Sequence, residues 1–135
     1  MSLKIVLSLV ALTAATAVFG NAAEPGRVFE LRTYTCYEGK LPDLLARFRN
    51  HTARIFERHG MANIAYWVPQ DAPASQNTLI YVIAHASREA AKKNWDEFRQ
   101  DPEWQKVQKE SEANGKIVMK VESVFMDPTD FSPTR

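Results

Sequence analysis

The sequence predicts an α+β domain with the ferredoxin-like order β-α-β-β-α-β. In this arrangement a four-stranded antiparallel sheet carries its helices on one face and has strands one and three at its centre. The chain has 135 residues, which is a single-domain length. Four segments have strand patterns, and apolar residues at helical spacing separate the first from the second and the third from the fourth. We expect the domain to span residues 24–135, with a core over 27–126 and a C-terminal tail over 127–135.

The first half of the domain contains a strand, a helix and a second strand. Residues 27–36 alternate and are rich in aromatic and β-branched side chains, which is typical of a strand. Apolar residues then recur at helical spacing from Pro42 to Gly60, residues suited to a helix start and a helix end. Residues 61–68 are the second predicted strand. The helix side expected to face solvent carries Asp43, Arg47, Asn50, Arg54, Glu57 and Arg58.

The third predicted strand, residues 78–86 after a loop over 70–77, is apolar on both sides. One side carries Leu79, Tyr81 and Ile83, and the other carries Ile80, Val82 and Ala84. Such a strand is expected to be covered on both faces, although the helices cover only one. Because a large exposed apolar patch is unusual on a monomer, we expect a second copy of the chain to pack sheet against sheet. The sequence therefore predicts a homodimer.

The second half continues with helices and a final strand. Ser87 is a suitable N-cap for a helix that extends to about Gln100. Asp101-Pro102 restarts the helix, since proline is well tolerated at the first helical position. Asn114-Gly115 ends it, and residues 116–126 form the fourth strand.

The first 23 residues have the composition of a cleavable signal peptide. Lys4 precedes a largely apolar run over residues 5–19, and small residues follow at 20–23. The run is shorter than the roughly 20 apolar residues that a transmembrane helix needs. We expect cleavage after Ala22 or Ala23, which would leave a periplasmic or secreted protein without a membrane anchor.

Charge and ligand content argue against several classes of function. The chain has 17 basic and 16 acidic residues, and removal of Lys4 with the signal leaves 16 of each. A neutral domain lacks the positive surface that nucleic-acid binding requires. His51, His59 and His85 are scattered and no cysteine cluster accompanies them, so we predict neither a metal site nor a cofactor. Cys36, the single cysteine, is either a buried small side chain or pairs with its counterpart in a second chain.

Six short motifs are spread along the predicted domain. They are Phe29-Glu30-Leu31-Arg32-Thr33-Tyr34, Gly39-Lys40-Leu41, His59-Gly60, Tyr66-Trp67, Ser87-Arg88-Glu89 and Asp101-Pro102-Glu103-Trp104. Together they resemble the NIPSNAP family over about residues 27–126. The resemblance implies a dimeric α+β barrel fold and no shared catalytic motif. Some family members are associated with mitochondria and vesicle traffic, and an export signal departs from those members.

Polar side chains on the sheet are candidates for a ligand-binding cavity. If Phe29 and Leu31 face the helices, the alternate residues of strand one line the space enclosed by the dimer. The candidates are Glu30, Arg32, Tyr34, Tyr81, His85 and Glu122. In one interpretation Arg32 pairs with Glu30 or Glu122 and fixes the dimer register, because a buried charge must be paired. In the other, Arg32 holds an anion, Tyr34 donates a hydrogen bond, and His85 or a carboxylate accepts a proton.

Three functions remain open. The first is an exported dimer that binds a small organic ligand or a protein partner, since neither a phosphate-binding glycine loop nor a nucleophile elbow is present and no catalytic residue is assigned. The second, by analogy with related barrels, is a cofactor-independent monooxygenase or a haem-binding or haem-degrading enzyme, with His85 as the haem ligand. The third is a scaffold that assembles through its helices. Trp95 and Trp104 are expected to be core anchors.

Overall fold

The computed structural model describes residues 26–135, and the predicted signal segment lies outside these residues. The strands are β1 (Val28–Cys36), β2 (Ala62–Trp67), β3 (Thr78–His85) and β4 (Val118–Met126). The helical segments are α1 (Leu41–Arg47), a π-helical turn (Phe48–Thr52), α2 (Ala53–Arg58), α3 (Ala74–Asn77), α4 (Arg88–Gln100) and α5 (Pro102–Ser111). The predicted order of elements is confirmed. The single turn α3 is an addition, which lies in the segment predicted to be a loop.

The four strands form one antiparallel sheet in the order β2-β3-β1-β4. Strands β1 and β3 are central, as predicted. Arg32 of β1 lies opposite Tyr81 of β3 and Ser123 of β4. Residues directly opposite one another in an antiparallel pair share a face, so these three side chains lie on the same side of the sheet.

The two predicted caps of the second helical region are both present. Ser87 Oγ accepts a hydrogen bond of 3.0 Å from the Ala90 amide at the start of α4. Asp101 Oδ1 accepts one of 2.8 Å from the Glu103 amide, with Pro102 at the first position of α5. Because each cap satisfies an otherwise unpaired N–H group, the chain ends one helix and begins the next at Asp101.

The first helical region is interrupted by the π-helical turn. Thr52 Oγ1 donates a hydrogen bond of 3.3 Å to the carbonyl oxygen of Arg47, five residues earlier. Arg47 itself is buried, so its predicted position on the solvent side is wrong. The reason is tertiary, because the end of α5 lies over Arg47, and Ser111 and Glu112 hydrogen-bond with its guanidinium group.

The core lies between the helices and one face of the sheet. It contains an aromatic cluster in which neighbouring ring centroids are 5.0–6.1 Å apart, a spacing typical of edge-to-face and offset-stacked pairs. The members of the cluster are Tyr34, Phe48, Phe56, Tyr66, Tyr81, Trp95 and Phe98. This cluster joins β1, β2 and β3 to the helices above them.

The two faces of β1 are the reverse of those predicted. Glu30 and Arg32 contact Trp95 of α4 and therefore face the helices, whereas Phe29 and Leu31 face away. An alternating pattern separates the two sets of side chains but does not say which set is covered. The helix side is the one that supplies hydrogen-bond donors to a buried carboxylate.

The sheet face away from the helices is apolar and only partly covered. Leu31, Ile80 and Val82 at its centre are half-buried, and Trp67 and Val124 at its edges are 52% and 53% exposed. Strand β3 is apolar on both sides, as predicted. Tyr81 and Ile83 are fully buried under the helices, so the side that is only partly covered is the one that carries Ile80 and Val82. We call this side the open face.

The C-terminal tail, residues 127–135, covers one end of the open face. A largely apolar cavity of about 340 Å³ separates the tail from Phe29, Trp67 and Val82. Arg27 Nε donates a hydrogen bond of 3.1 Å to the carbonyl oxygen of Arg135, which holds the tail against the start of β1. None of the helices within residues 26–135 has the length and apolar character that a membrane span requires.

Candidate ligand-binding cleft

The carboxylate of Glu30 is the centre of a buried polar network. It is 1% exposed and accepts hydrogen bonds from Arg32 Nη1 at 2.6 Å, Trp95 Nε1 at 2.8 Å and Ser123 Oγ at 2.7 Å. His85 Nε2 lies 2.9 Å from its second oxygen. Burial by itself would raise the pKa of Glu30, but the hydrogen bonds from these four side chains hold that pKa at about 2. Glu30 is therefore ionised at neutral pH.

Both ring nitrogens of His85 are occupied within this network. Asn94 Nδ2 lies 3.2 Å from Nδ1, and an amide nitrogen can only donate. Nδ1 is therefore the acceptor, and Nε2 carries the proton that is donated to Glu30. A fully buried imidazole with both nitrogens engaged holds Glu30 in place and has no free atom for a ligand.

Arg32 lies between this network and an open cleft. Its guanidinium carbon is 4.2 Å from the ring centre of Trp95, a distance at which a cation is attracted to the aromatic face. Besides Glu30, its described hydrogen-bond partner is Tyr34 Oη at 3.3 Å. A guanidinium has five N–H donors, so Arg32 retains donors beyond those used by Glu30 and Tyr34.

Two adjoining cavities lie between the sheet and helices α4 and α5. The first, about 370 Å³, is lined by Arg32, Tyr34, Trp95, Phe98, Arg99, Trp104 and Gln108. The second, about 320 Å³, shares Tyr34, Phe98, Trp104 and Gln108 with the first and extends to Arg47, Glu112, Lys116 and the start of β4. We call the two together the sheet–helix cleft. Four of its charged side chains are cationic, and Glu112 is the anionic one.

Five of the six predicted site residues are brought together, but on the helix side of the sheet. Arg32 and Tyr34 line the cleft, while Glu30 and His85 lie behind them. Tyr81 lies beneath the cleft, with its ring centroid 5.3 Å from that of Tyr34. Among residues 26–135, the Tyr81 hydroxyl has no hydrogen-bond partner. Burial raises the pKa of Tyr81 well above its ordinary value. The predicted pair of Arg32 with Glu30 is present, because Arg32 Nη1 donates a hydrogen bond to Glu30.

Glu122 does not belong to this group, so its predicted convergence with the other five is wrong. It lies opposite Thr33, on the sheet face away from the helices, and is exposed. Its described partner is Lys120, whose Nζ donates a hydrogen bond of 2.9 Å. The one-residue alternation of β4 explains the error, because Ser123, the next residue, takes the position facing Glu30.

The helix residues of the cleft were not identified from the sequence as ligand-binding candidates. Trp95 and Arg99 are four residues apart on α4, and Trp104 and Gln108 are four apart on α5, so each pair shares a helix face. An aromatic side chain followed one turn later by a polar one is a weak sequence signal for the wall of a ligand-binding cleft. Trp95 is buried as an anchor should be, and Trp104 is partly buried, since it packs against the core cluster while it lines the cleft.

The residue types that bind metals, and the single cysteine, are dispersed in the described part of the chain. Within residues 26–135, no group of three histidine, cysteine, aspartate or glutamate side chains could hold a metal ion. Cys36 is buried, and this burial raises the pKa of its thiol. A small buried side chain is thus the alternative that the structure favours for Cys36.

Comparison with known proteins links this chain to one family. A family model described as NIPSNAP matches residues 29–133. A solved NIPSNAP family protein of unknown function from Agrobacterium tumefaciens is 21% identical, with a TM-score of 0.70, and the match covers 82% of this chain and 96% of that one. Another NIPSNAP family protein from the same organism is 25% identical, with a TM-score of 0.69, and the match covers 81% and 99%.

A more distant likeness extends to an enzyme. SnoaB, a cofactor-independent oxygenase from Streptomyces nogalater, is 12% identical, with a TM-score of 0.54, and the match covers 80% of this chain and 98% of that one. At this identity the likeness concerns the fold, which is that of the dimeric α+β barrel proteins. A comparison with proteins of curated function found no significant match.

Proposed function

Because the chain belongs to the NIPSNAP family, whose fold is shared by dimeric α+β barrel proteins, we propose that it is an exported homodimer that binds a small organic anion in the sheet–helix cleft of each protomer. One observation supports an anionic ligand: the largely buried cation Arg32 lies over Trp95 at the wall of an aromatic cleft. Its position is fixed from behind by Glu30. A preorganised cation with spare donors favours an anion over a neutral ligand.

The size and lining of the cleft support a small molecule. Ligand pockets are typically about 300–1,000 Å³ and combine aromatic walls with a few polar groups. The first cavity alone, at about 370 Å³, lies within that range. Tyr34 adds a hydroxyl that accepts from Arg32 and so keeps its own proton for a ligand.

The open face supports the dimer. A stable interface needs roughly 800 Å² from each partner, with an apolar centre. Leu31, Ile80 and Val82 provide that centre, and Trp67 extends it. A second copy that covers these side chains would leave the cleft accessible, because the cleft lies on the helix side of the sheet.

Export rests on the composition of residues 1–23 alone. The mass and N-terminal sequence of protein recovered from the periplasm would test it. We expect a mature chain that begins at Ala23 or Glu24. A chain that retains Met1 and remains in the cytoplasm would contradict export and leave the binding proposal intact.

The binding proposal is tested by native mass spectrometry and by titration with 2-naphthoate. Protein from its own periplasm should give a dimer with retained small-molecule mass. In calorimetry, 2-naphthoate should bind at least about tenfold more tightly than the neutral 2-naphthamide, a difference of about 1.4 kcal/mol. Arg99→Gln should weaken the binding of 2-naphthoate, whereas Lys93→Gln, an exposed cation on the same helix outside the cleft, should not. Absence of both retained mass and 2-naphthoate binding would overturn the proposal.

The enzymatic alternatives have less support from the site. An oxygenase activity rests on the fold shared with SnoaB. His85, the residue that would ligate haem or accept a proton, is buried and engaged through both ring nitrogens. Haem ligation through either ring nitrogen would require the contact of that nitrogen to break and the buried ring to be uncovered, so we expect haemin titration to give no Soret change that depends on His85.

A further inference from the structure

Resting on the proposed function, we infer that the ligand of the sheet–helix cleft is a dianion, with an acidic group at each end of an apolar or aromatic body. The cleft has two cationic ends. Arg32 and Arg99 flank the Trp95 ring at one end, with guanidinium carbons 4.2 and 5.8 Å from its centre. Arg47 and Lys116 line the other end.

The middle of the cleft is aromatic. Tyr34, Phe98 and Trp104 line both cavities, together with the polar Gln108, and therefore separate the two cationic ends. Phe98 and Trp104 are nearly stacked, with ring centroids 4.6 Å apart and planes inclined by 31°. A planar apolar body fits such a passage better than a hydrated chain does, because aromatic faces gain from stacking and from loss of water.

The length of the passage follows from β1, which runs beneath it. Cys36 lies four residues beyond Arg32, so the two backbone positions are about 13 Å apart at a strand rise of about 3.3 Å per residue. Cys36 pairs with Val118, which lines the second cavity, and the charge of Arg47 acts on the Cys36 thiol. The backbone positions beneath the two cationic ends are therefore farther apart than one aromatic ring is long.

Arg47 is the residue that would bind the second acidic group of the ligand. It is buried, and its Nη1 lies 3.2 Å from Ser111 Oγ and 3.5 Å from Glu112. Among residues 26–135, neither its Nε nor its Nη2 donates a hydrogen bond. A buried cation with unused donors is costly, and an acidic ligand group would satisfy it. Because Arg47 and Lys116 outnumber Glu112 at this end, both ends of the cleft carry a net positive charge, and a zwitterion would place its own cation against one of them.

The inference is tested with two probes that share one ring system. Naphthalene-2,6-dicarboxylate carries an acidic group at each end, and 2-naphthoate carries one. Calorimetric titration of the mature chain should give at least about tenfold tighter binding for the dicarboxylate. Lys116→Gln should weaken the binding of the dicarboxylate more than that of 2-naphthoate and so remove most of that preference, because Lys116 lines only the second cavity.

Matched variants separate the outcomes. Lys109→Gln, an exposed α5 cation outside the cleft, should bind both probes as the unsubstituted chain does. Arg47→Lys keeps the charge but loses the planar donor set, so it should reduce the dicarboxylate preference, with folding checked by circular dichroism. Equal binding of the two probes would overturn the dianion inference while leaving the proposed function intact. A preference that survives Lys116→Gln and Arg47→Lys would also overturn it, as would the binding of neither probe.

Discussion

Trp95 Nε1 donates a hydrogen bond of 2.8 Å to Glu30, and this bond ties helix α4 to the central strand β1. The guanidinium group of Arg32 lies over the face of the same indole ring. One side chain therefore positions both the buried carboxylate and the cation that lines the cleft. The core and the candidate site are in this sense one structure, so substitutions in the network should affect both stability and binding.

Trp95→Phe should lower the free energy of unfolding by about 1–3 kcal/mol, because the substitution keeps an aromatic ring but leaves Glu30 short of one donor. Urea denaturation monitored by circular dichroism measures the change. Trp67→Phe, at an exposed edge of the open face, is the control and should change stability by less than about 0.5 kcal/mol at protein concentrations where the oligomeric state is unchanged. Equal effects of the two substitutions would contradict the role assigned to the indole N–H.

Glu30 should make the protein sensitive to acid. Its pKa is about 2 in the folded chain against an ordinary value of 4.5, so as the pH falls below 4.5 protons bind first to the unfolded chain. The stability that Glu30 contributes is complete above about pH 5 and is lost between pH 4.5 and 2, a loss of about 3 kcal/mol. Urea denaturation at pH 6 and pH 3 should show about 2 kcal/mol of this loss, because pH 3 lies only part of the way from pH 4.5 to pH 2.

Two variants identify the source of this acid sensitivity. Glu30→Gln should be less stable at pH 6, by about 3–5 kcal/mol, because Arg32 then lacks its buried partner. Its stability should also fall less between pH 6 and 3 than that of the unsubstituted chain. Glu122→Gln removes an exposed carboxylate from the opposite face and should keep the original pH dependence. A Glu122 variant that loses the acid sensitivity would refute the assignment to Glu30.

Ile80→Arg should convert the proposed dimer to a monomer, because it places a charge at the apolar centre of the open face. Size-exclusion chromatography with light scattering gives the mass. Tyr37→Arg introduces the same charge at an exposed aromatic residue beyond the end of β1, and this control should remain dimeric. If the unsubstituted chain is itself monomeric at micromolar concentration, the homodimer is ruled out.

Asp101→Ala should cost more stability than Ser87→Ala, although both residues are helix caps. The loss of a cap costs about 1 kcal/mol. Asp101 also accepts hydrogen bonds from Arg58 and His59 of the first helical region, and the bond from Arg58 holds the pKa of Asp101 well below its ordinary range. Thermal denaturation compares the two variants, and similar losses would show that the additional contacts contribute little.

This contact also joins two of the motifs in which the sequence resembles the NIPSNAP family. His59-Gly60 and Asp101-Pro102-Glu103-Trp104 are about forty residues apart in sequence, yet His59 Nε2 lies 2.6 Å from Asp101. The pair joins the end of α2 to the start of α5. Trp104, at the end of the second motif, is thereby held along the cleft.

Local signals predicted most of the fold. Strand alternation, the two caps and the proline at the start of α5 are each determined by neighbouring residues, and each is confirmed. The covered face of β1 was assigned wrongly because alternation is symmetric. The decisive fact, that Trp95 and Ser123 supply donors to Glu30, depends on residues 65 and 93 positions away.

The strand residues of the candidate site could be predicted from the sequence, but its helix residues depend on tertiary packing. Arg32 and Tyr34 stood out as polar residues on a central strand. Arg47 lay on a helix face that is polar in sequence, and only the packing of α5 across it reveals that it is buried. Its place at the far end of the cleft is a property of the helix arrangement.

The placement of the three tryptophans gives the protein its own optical reporters. Trp95 and Trp104 border the cleft, whereas Trp67 lies on the open face. Intrinsic emission should therefore respond to occupancy through the first two and to subunit association through the third. A variant that keeps only Trp67 and a variant that keeps only Trp104 would report the two events separately by fluorescence, without any added dye.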